Sequence, residues 1–198
     1  MAYVWVAKMT LVPQEWDENG QEIAGFFSSV SGQSGMIRIS DPVRRMTIRD
    51  YAAQQITEPW SDTTLFDDGT GFASGMLPDF VQLYADASKG DSSIILKGLP
   101  SSETKVFRRG DLIELRPNGI ASETPNLYEV QANASTDASG KVRINILPPL
   151  RQGFVAGDMA VLRNASSVFR LIDDEQGIAS MSLPRLADIG FNLVEAII

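Results

Sequence analysis

The stretch from Asn126 to Arg151, NLYEVQANASTDASGKVRINILPPLR, decides what kind of fold this chain adopts. Along its first arm Leu127, Glu129 and Gln131 alternate with Tyr128, Val130 and Ala132; along its second, Val142, Ile144 and Ile146 alternate with Arg143 and Asn145. A period of two marks strands with one buried face. Between the arms, TDASGK offers Asp137 and Ser139 to bond the local backbone, and Gly140 to take the positive φ that a tight reversal needs. Pro148 and Pro149 end the second arm, because proline has no N–H to give to a ladder. The pattern predicts a β-hairpin and names no chemistry.

Outward from the hairpin, strand signals recur at short intervals: FVQLYA, SSIILKGL, KVFRR and GDLIEL before it, MAVLR and SVFRLI after it. Lys89-Gly90-Asp91, Gly110-Asp111, Ser139-Gly140 and Gly157-Asp158 punctuate them. Short strands so spaced predict a β-sandwich or a small barrel. Upstream, Tyr3, Trp5, Ala7, Met9 and Leu11 share one face of a strand that Pro13 ends. Ile23, Phe26, Phe27 and Val30 stand at i, i+3, i+4 and i+7, with Gly32 beyond them, which predicts one short amphipathic helix packed on the core. GMIRIS is a further strand, closed by Asp41 and Pro42. The tail SMSLPRLADIGFNLVEAII adds two short strands that bury Phe191, Leu193 and Val194. The expected class is mainly β.

A chain of 198 residues with 43% hydrophobic and 21% charged side chains buries roughly 70% of its unfolded surface, enough for a core without staples. It has no cysteine and no histidine. Disulfides, thiolate metal sites, cysteine nucleophiles and any serine–histidine–acid triad are therefore excluded. The N-terminus lacks a basic region followed by an apolar run, and no window is long and apolar enough to span a bilayer, so neither a signal peptide nor membrane insertion is expected. The net charge of −8 divides unevenly: residues 1–99 hold 7 basic and 13 acidic side chains, residues 100–198 hold 10 and 12. Bulk electrostatics of that sign disfavours binding nucleic acid.

Chemistry finds few footholds. Asp67-Asp68 and Asp173-Asp174-Glu175 are the dense acidic clusters, but both lie in turns and lack the alternating ligand spacing of a calcium loop. Gly69 to Gly75, GTGFASG, misplaces the third glycine of a phosphate loop. Arg109-Gly110-Asp111 spells a cell-adhesion tripeptide where a turn is due. No catalytic residue, metal ligand or cofactor site is assigned. Residues 43–76 break the regular pattern and carry Tyr51, Trp60, Leu65, Phe66, Phe72 and Met76, large apolar side chains that must cover their own core or a neighbour's. Trp60, Leu65, Phe66, Phe72 and Met76 are the candidate inter-subunit contacts. The arginines of the second half, among them Arg108, Arg109, Arg116, Arg143, Arg151, Arg163, Arg170 and Arg185, are candidates to pair with the acidic first half across an interface.

The succession GMIRISDP, RRGDLIEL (108–115), LYEVQANASTDASGKVRINILPPLR (127–151), GDMAVLRN (157–164), VFRLID (168–173) and FNLVEAI (191–197) resembles the distal tail proteins of long-tailed, siphovirus-like bacteriophages. That family shows a strand opening with Gly-Asp, a Leu-Tyr-x-Val strand, a Ser-Gly turn, a strand ending in Pro-x-Leu-Arg and a Phe-Arg-Leu strand in the same order. The resemblance implies a structural virion protein of the tail tip or baseplate, made in the host cytoplasm. It implies a homo-hexameric ring joining the tail tube to the tail hub and other baseplate proteins, around a channel through which DNA passes without specific binding. It also implies a split ring-forming β-sandwich over 1–50 and 163–198, and a small inserted β-barrel over 77–162. Residues 43–76 depart from the family pattern as an irregular loop or arm. Two other classes compete. One is a carbohydrate-binding β-sandwich for host attachment, with Trp16, Trp60 and Tyr84 as stacking platforms. The other is a tail-associated hydrolase using Asp67 and Asp174.

Overall fold

The computed structural model describes residues 4–10, 14–15, 22, 25–26, 29, 34–41, 57–58, 72–73, 80–173, 180–182, 186–188 and 190–196. The chain is mainly β. In order its strands are β1 (Val6–Thr10), β2 (Gln14–Glu15), β3 (Ile37–Ser40), β4 (Thr57–Glu58), β5 (Phe72–Ala73), β6 (Phe80–Leu83), β7 (Ser93–Lys97), β8 (Leu112–Arg116), β9 (Leu127–Val130), β10 (Lys141–Leu147), β11 (Met159–Val161), β12 (Ser166–Leu171), β13 (Ser180–Ser182), β14 (Leu186–Asp188) and β15 (Gly190–Glu195). Within the stretch expected to be helical, Glu22, Gly25, Phe26 and Ser29 are helical; Ile23, Phe27 and Val30 lie outside the described residues.

Two compact units divide the chain: Met1–Ser40 with Ser122–Pro125 and Ser166–Ile198, and Asp41–Ala121 with Asn126–Ala165. The first holds a four-stranded sheet, β1-β15-β12-β3, drawn from both ends of the chain, and a three-stranded sheet, β13-β14-β2. Phe169, Leu171, Phe191 and Leu193 form the core of the four-stranded sheet, with Trp5, Ala7, Met9, Ile37 and Ile39 packed against them. Trp5, Ala7 and Met9 are the face that alternation assigned to the core. The tail forms three strands rather than two, and Val194 is only half-buried, because the alternation along β15 buries Phe191, Leu193 and Glu195 instead.

The second unit is built on a closed six-stranded barrel, β10-β7-β6-β11-β8-β9. Inside it Val81, Leu83, Ile94, Leu96, Ile113, Leu115, Tyr128, Val130, Val142, Ile144, Ile146 and Leu162 are buried. The hairpin of residues 126–151 is present, but the pairing of its second arm is divided between two strands. Only Ile146 and Leu147 of β10 pair with β9, opposite Val130 and Glu129. Lys141 to Asn145 pair instead with Lys97 to Ser93 of β7. Alternation reports which face of a strand is buried, not which neighbour it joins. KVFRR is not a strand: Phe107 makes a single bridge to Ala134, and the chain turns around it at Lys105 (φ 55°) and Gly110 (φ 92°).

The barrel consists of two copies of one half. Ala85-x-Ala87-Ser88, Leu99-Pro100 and Phe107-x-x-Gly110-Asp111-x-x-x-Leu115-Arg116 reappear as Ala132-x-Ala134-Ser135, Leu147-Pro148 and Phe154-x-x-Gly157-Asp158-x-x-x-Leu162-Arg163. The backbone repeats with them. Gly110 N–H donates to the Val130 carbonyl and Val130 N–H to the Asp111 carbonyl, each at 2.8 Å; Gly157 N–H donates to the Leu83 carbonyl at 2.9 Å and Leu83 N–H to the Asp158 carbonyl at 2.8 Å. Each Gly-Asp corner thus pins a strand of the other half. Ala87 bridges Phe154 as Ala134 bridges Phe107. β8 meets β9 in the register Ile113↔Tyr128, and β11 meets β6 in the equivalent register Ala160↔Val81. A pseudo-twofold axis therefore passes between Ile95 and Arg143, partners in the β7–β10 ladder.

Candidate functional site

Which side chains the barrel leaves in solvent follows from strand alternation. On β6, β7 and β10 the inward residues fill the core, and the outward ones are Phe80 and Gln82 with Tyr84 directly after β6, then Ser93, Ile95 and Lys97, then Lys141, Arg143 and Asn145. Phe80 is 52% and Tyr84 45% exposed. Lys141 stands directly opposite Lys97 in the ladder, an arrangement of like charges that works against the pairing. The Lys141 Nζ lies 3.8 Å from the centre of the Tyr84 ring, so a cation–π contact gives that lysine a partner. Arg143 Nη1 donates to Ser93 Oγ at 3.4 Å. Among the described residues, no salt bridge joins Lys97, Lys141 or Arg143 to a carboxylate.

At the end of this strip a depression of about 400 Å³ is lined by Asp86, Asp91, Ser92, Ser93, Ile95 and Arg143, among others. Its acids are partly spoken for by backbone: Asp86 Oδ1 accepts from Ala156 N–H at 2.8 Å, and Asp91 Oδ2 from Ser88 N–H at 2.7 Å. The strip therefore presents cations and aromatic rings along the strands, with carboxylates at its rim.

Other ionisable groups serve the fold. Glu114, 2% exposed, receives Arg116 through two bonds, Nε to Oε1 at 2.8 Å and Nη2 to Oε2 at 3.0 Å. That hydrogen bond holds the guanidinium above its ordinary pKa. Asp111 Oδ2 accepts from Arg108 N–H at 2.7 Å, and Asp158 Oδ2 from Val155 N–H at 2.9 Å, the same corner in each half. The Arg109-Gly110-Asp111 tripeptide is thus one of the two barrel corners. In the first unit the buried Glu195 accepts from Ser167 Oγ at 2.7 Å and Trp5 N–H at 3.3 Å. Arg38 donates to Ser166 Oγ at 3.2 Å and to the Ser122 carbonyl.

Of the candidate contact residues, Phe72 lies in β5, opposite Glu58 of β4; Trp60, Leu65, Phe66 and Met76 lie outside the described residues, as do Trp16, Asp67, Asp68 and Asp174. Asp173 is exposed. Of the stacking platforms Tyr84 is on the barrel face, with Lys141 over its ring. Among the described residues no three acidic side chains gather to hold a metal, and no helix is long and apolar enough to cross a membrane. Sequence reading picked out Arg143 and placed it outward, but missed the strip, since only the barrel topology brings β6 and β7 beside β10. Searched against protein-family models and curated proteins, the chain matches none of them.

Proposed function

We propose that the protein is a structural component of the tail tip of a long-tailed bacteriophage, a subunit of a hexameric ring that joins tail tube to hub and encloses the DNA channel. The observation that carries this reading is the four-stranded sheet made from both ends of the chain, β1 and β3 with β12 and β15, with the closed barrel lying between them in sequence. That is the order of parts which the resemblance in the strand and turn motifs implies. The polar groups of the barrel support the reading, since Glu114, Asp111 and Asp158 are engaged in holding strands and corners. The acidic balance of the chain, −8 overall, suits a channel past which a polyanion slides without releasing counterions.

Light scattering on a sizing column, followed by negative-stain imaging, tests it. Six chains of 21.6 kDa give about 130 kDa, and closed symmetry gives a ring with a central hole. A monomer at every concentration, or an open filament, speaks against it.

A further inference from the structure

We propose that the strip on β6, β7 and β10 is the docking surface for the acidic segment 56–79 of a second copy of the chain. This deepens the ring reading and rests on it, because it names the faces through which one subunit meets the next. Charge is the first argument. Residues 80–165 carry ten basic and nine acidic side chains, whereas the rest of the chain carries seven and sixteen. The barrel is thus the cationic part of an anionic protein, and three of its cations, Lys97, Lys141 and Arg143, share one face without a carboxylate salt bridge among the described residues. Two of them oppose each other across the ladder, a repulsion that an anionic occupant relieves.

The second argument is composition. Segment 56–79, ITEPWSDTTLFDDGTGFASGMLPD, holds five acids, Glu58, Asp62, Asp67, Asp68 and Asp79, and no lysine or arginine. It also carries Trp60, Leu65 and Phe66. The strip offers the complement, cations interleaved with Phe80 and Tyr84. Pairing of β4 with β5, Thr57↔Ala73 and Glu58↔Phe72, sets two parts of the segment side by side, and the acids and rings lie close together along its sequence.

The third argument is occupancy. Phe80 and Tyr84 stay about half exposed in the single chain and Arg143 is exposed, so these side chains keep surface that an occupant can bury. A contact between unlike surfaces leaves each copy one free strip and one free segment, which propagates until symmetry closes it.

The test uses the full-length chain and a labelled synthetic peptide of residues 56–79. Fluorescence anisotropy should show the peptide binding the wild-type protein, with binding that weakens as salt is added. Binding should fall about tenfold or more for K97E/R143E and stay unchanged for K105E, a reversal on the exposed Lys105, which belongs to none of β6, β7 and β10. The same double variant should lose assembly on the sizing column while keeping its circular dichroism and melting profile. Equal binding by wild type and K97E/R143E, or no binding, overturns the proposal; if the wild type still assembles, the ring reading survives that failure. Peptide binding at the strip by a chain that stays monomeric at every concentration overturns the second-copy assignment and the ring together.

Discussion

The two halves of the barrel, residues 80–116 and 127–163, repeat each other at their corners and in the core, and diverge in their hairpins and on their outer faces. Both turn their corners with Gly-Asp, at φ 92° for Gly110 and 97° for Gly157, and both send the corner's hydrogen bonds into the opposite half. Both place leucine and then arginine where the last strand ends, Leu115-Arg116 closing β8 and Leu162-Arg163 directly after β11. Elsewhere the halves part. Glu114 of β8 stands where β11 has Val161, Tyr84 where the second half has Gln131, and Asp86 where it has Asn133. The hairpins differ too, Leu83 pairing with Leu96 on one side and Val130 with Ile146 on the other, a slip relative to the axis that relates the remaining strands. A closed barrel demands two interlocking corners and a filled interior; its outer surface is free to specialise. The strip of Lys97, Lys141, Arg143 and Tyr84 is such a specialisation, clustered at one end of the pseudo-twofold axis.

The largest expected effect tests whether the halves are equivalent in the core. Leu115 and Leu162 are fully buried at matching positions, so Leu115→Ala and Leu162→Ala should each destabilise the barrel by about 3 kcal/mol, the usual cost of such a cavity. Urea melts of the two variants should superimpose. A pair of midpoints far apart breaks the symmetry inside the barrel.

The hairpin turns should separate next. A Cβ on Gly140 (φ 69°) meets the Leu99 carbonyl oxygen at 2.2 Å, while one on Gly90 (φ 95°) meets nothing within 4 Å. Both substitutions to alanine carry a left-handed penalty of about 1 kcal/mol, but Gly140→Ala adds backbone overlap and should cost about 3 kcal/mol in all. Thermal melts of the two alanine variants read the difference directly. If Gly90→Ala proves as damaging, the close approach at Leu99 is not what distinguishes the turns.

The corners come third. Asp158 is almost fully buried and its carboxylate accepts from Val155 N–H and, at 2.9 Å, from Asn118 N–H. Asp111 is half-buried. Asp158→Ala should therefore cost about 2 kcal/mol and Asp111→Ala about 1 kcal/mol, hydrogen bonds to a charged group being the stronger kind. Amide exchange at Leu83 and Val130, the strand residues each corner pins, reports the two losses separately.

Alternation along Val142, Ile144 and Ile146 and the glycine at Gly140 were legible because each reflects a constraint on a few neighbouring residues. The duplication was not, since the halves share identity mainly at corners and core positions scattered through dissimilar strands. The partner of β10 was hidden for a related reason: Lys141 and Arg143 announce an outward face, but only barrel closure sets Lys97 and Tyr84 beside them. Phe107 looked like part of a strand because an apolar residue between polar ones has the same local pattern in a bridge. The candidate contacts Trp60 and Phe66 drew notice by being apolar in an irregular stretch, a signal that identifies something to be covered without saying by what.

The smallest effect concerns pH and the turn of the opening hairpin, where the halves differ in how a carboxylate closes the loop. Asp91 accepts one backbone N–H, from Ser88. Asp137 Oδ1 accepts the N–H groups of Lys141 and Ser139, at 2.9 Å and 2.8 Å, and the Ser139 hydroxyl at 2.8 Å. The Lys141 N–H first, then the Ser139 hydroxyl, hold the Asp137 pKa below the ordinary carboxylate value. A pKa lower in the folded chain than in the unfolded one means that the contribution is fully present above the unfolded value and is lost as pH falls through the folded one. Between neutral pH and the ordinary carboxylate range the turn should hold; below it, protonation should free the Lys141 and Ser139 amides. Because Asp137 is fully exposed, this loss should loosen the loop without unfolding the barrel. Carboxyl-carbon NMR titration of Asp137, with Lys141 amide exchange followed alongside, should show the two changing together. In Asp137→Asn the acid-dependent step in Lys141 exchange should disappear; its persistence would place the titrating group elsewhere and leave the hairpin turn closed by Gly140 alone.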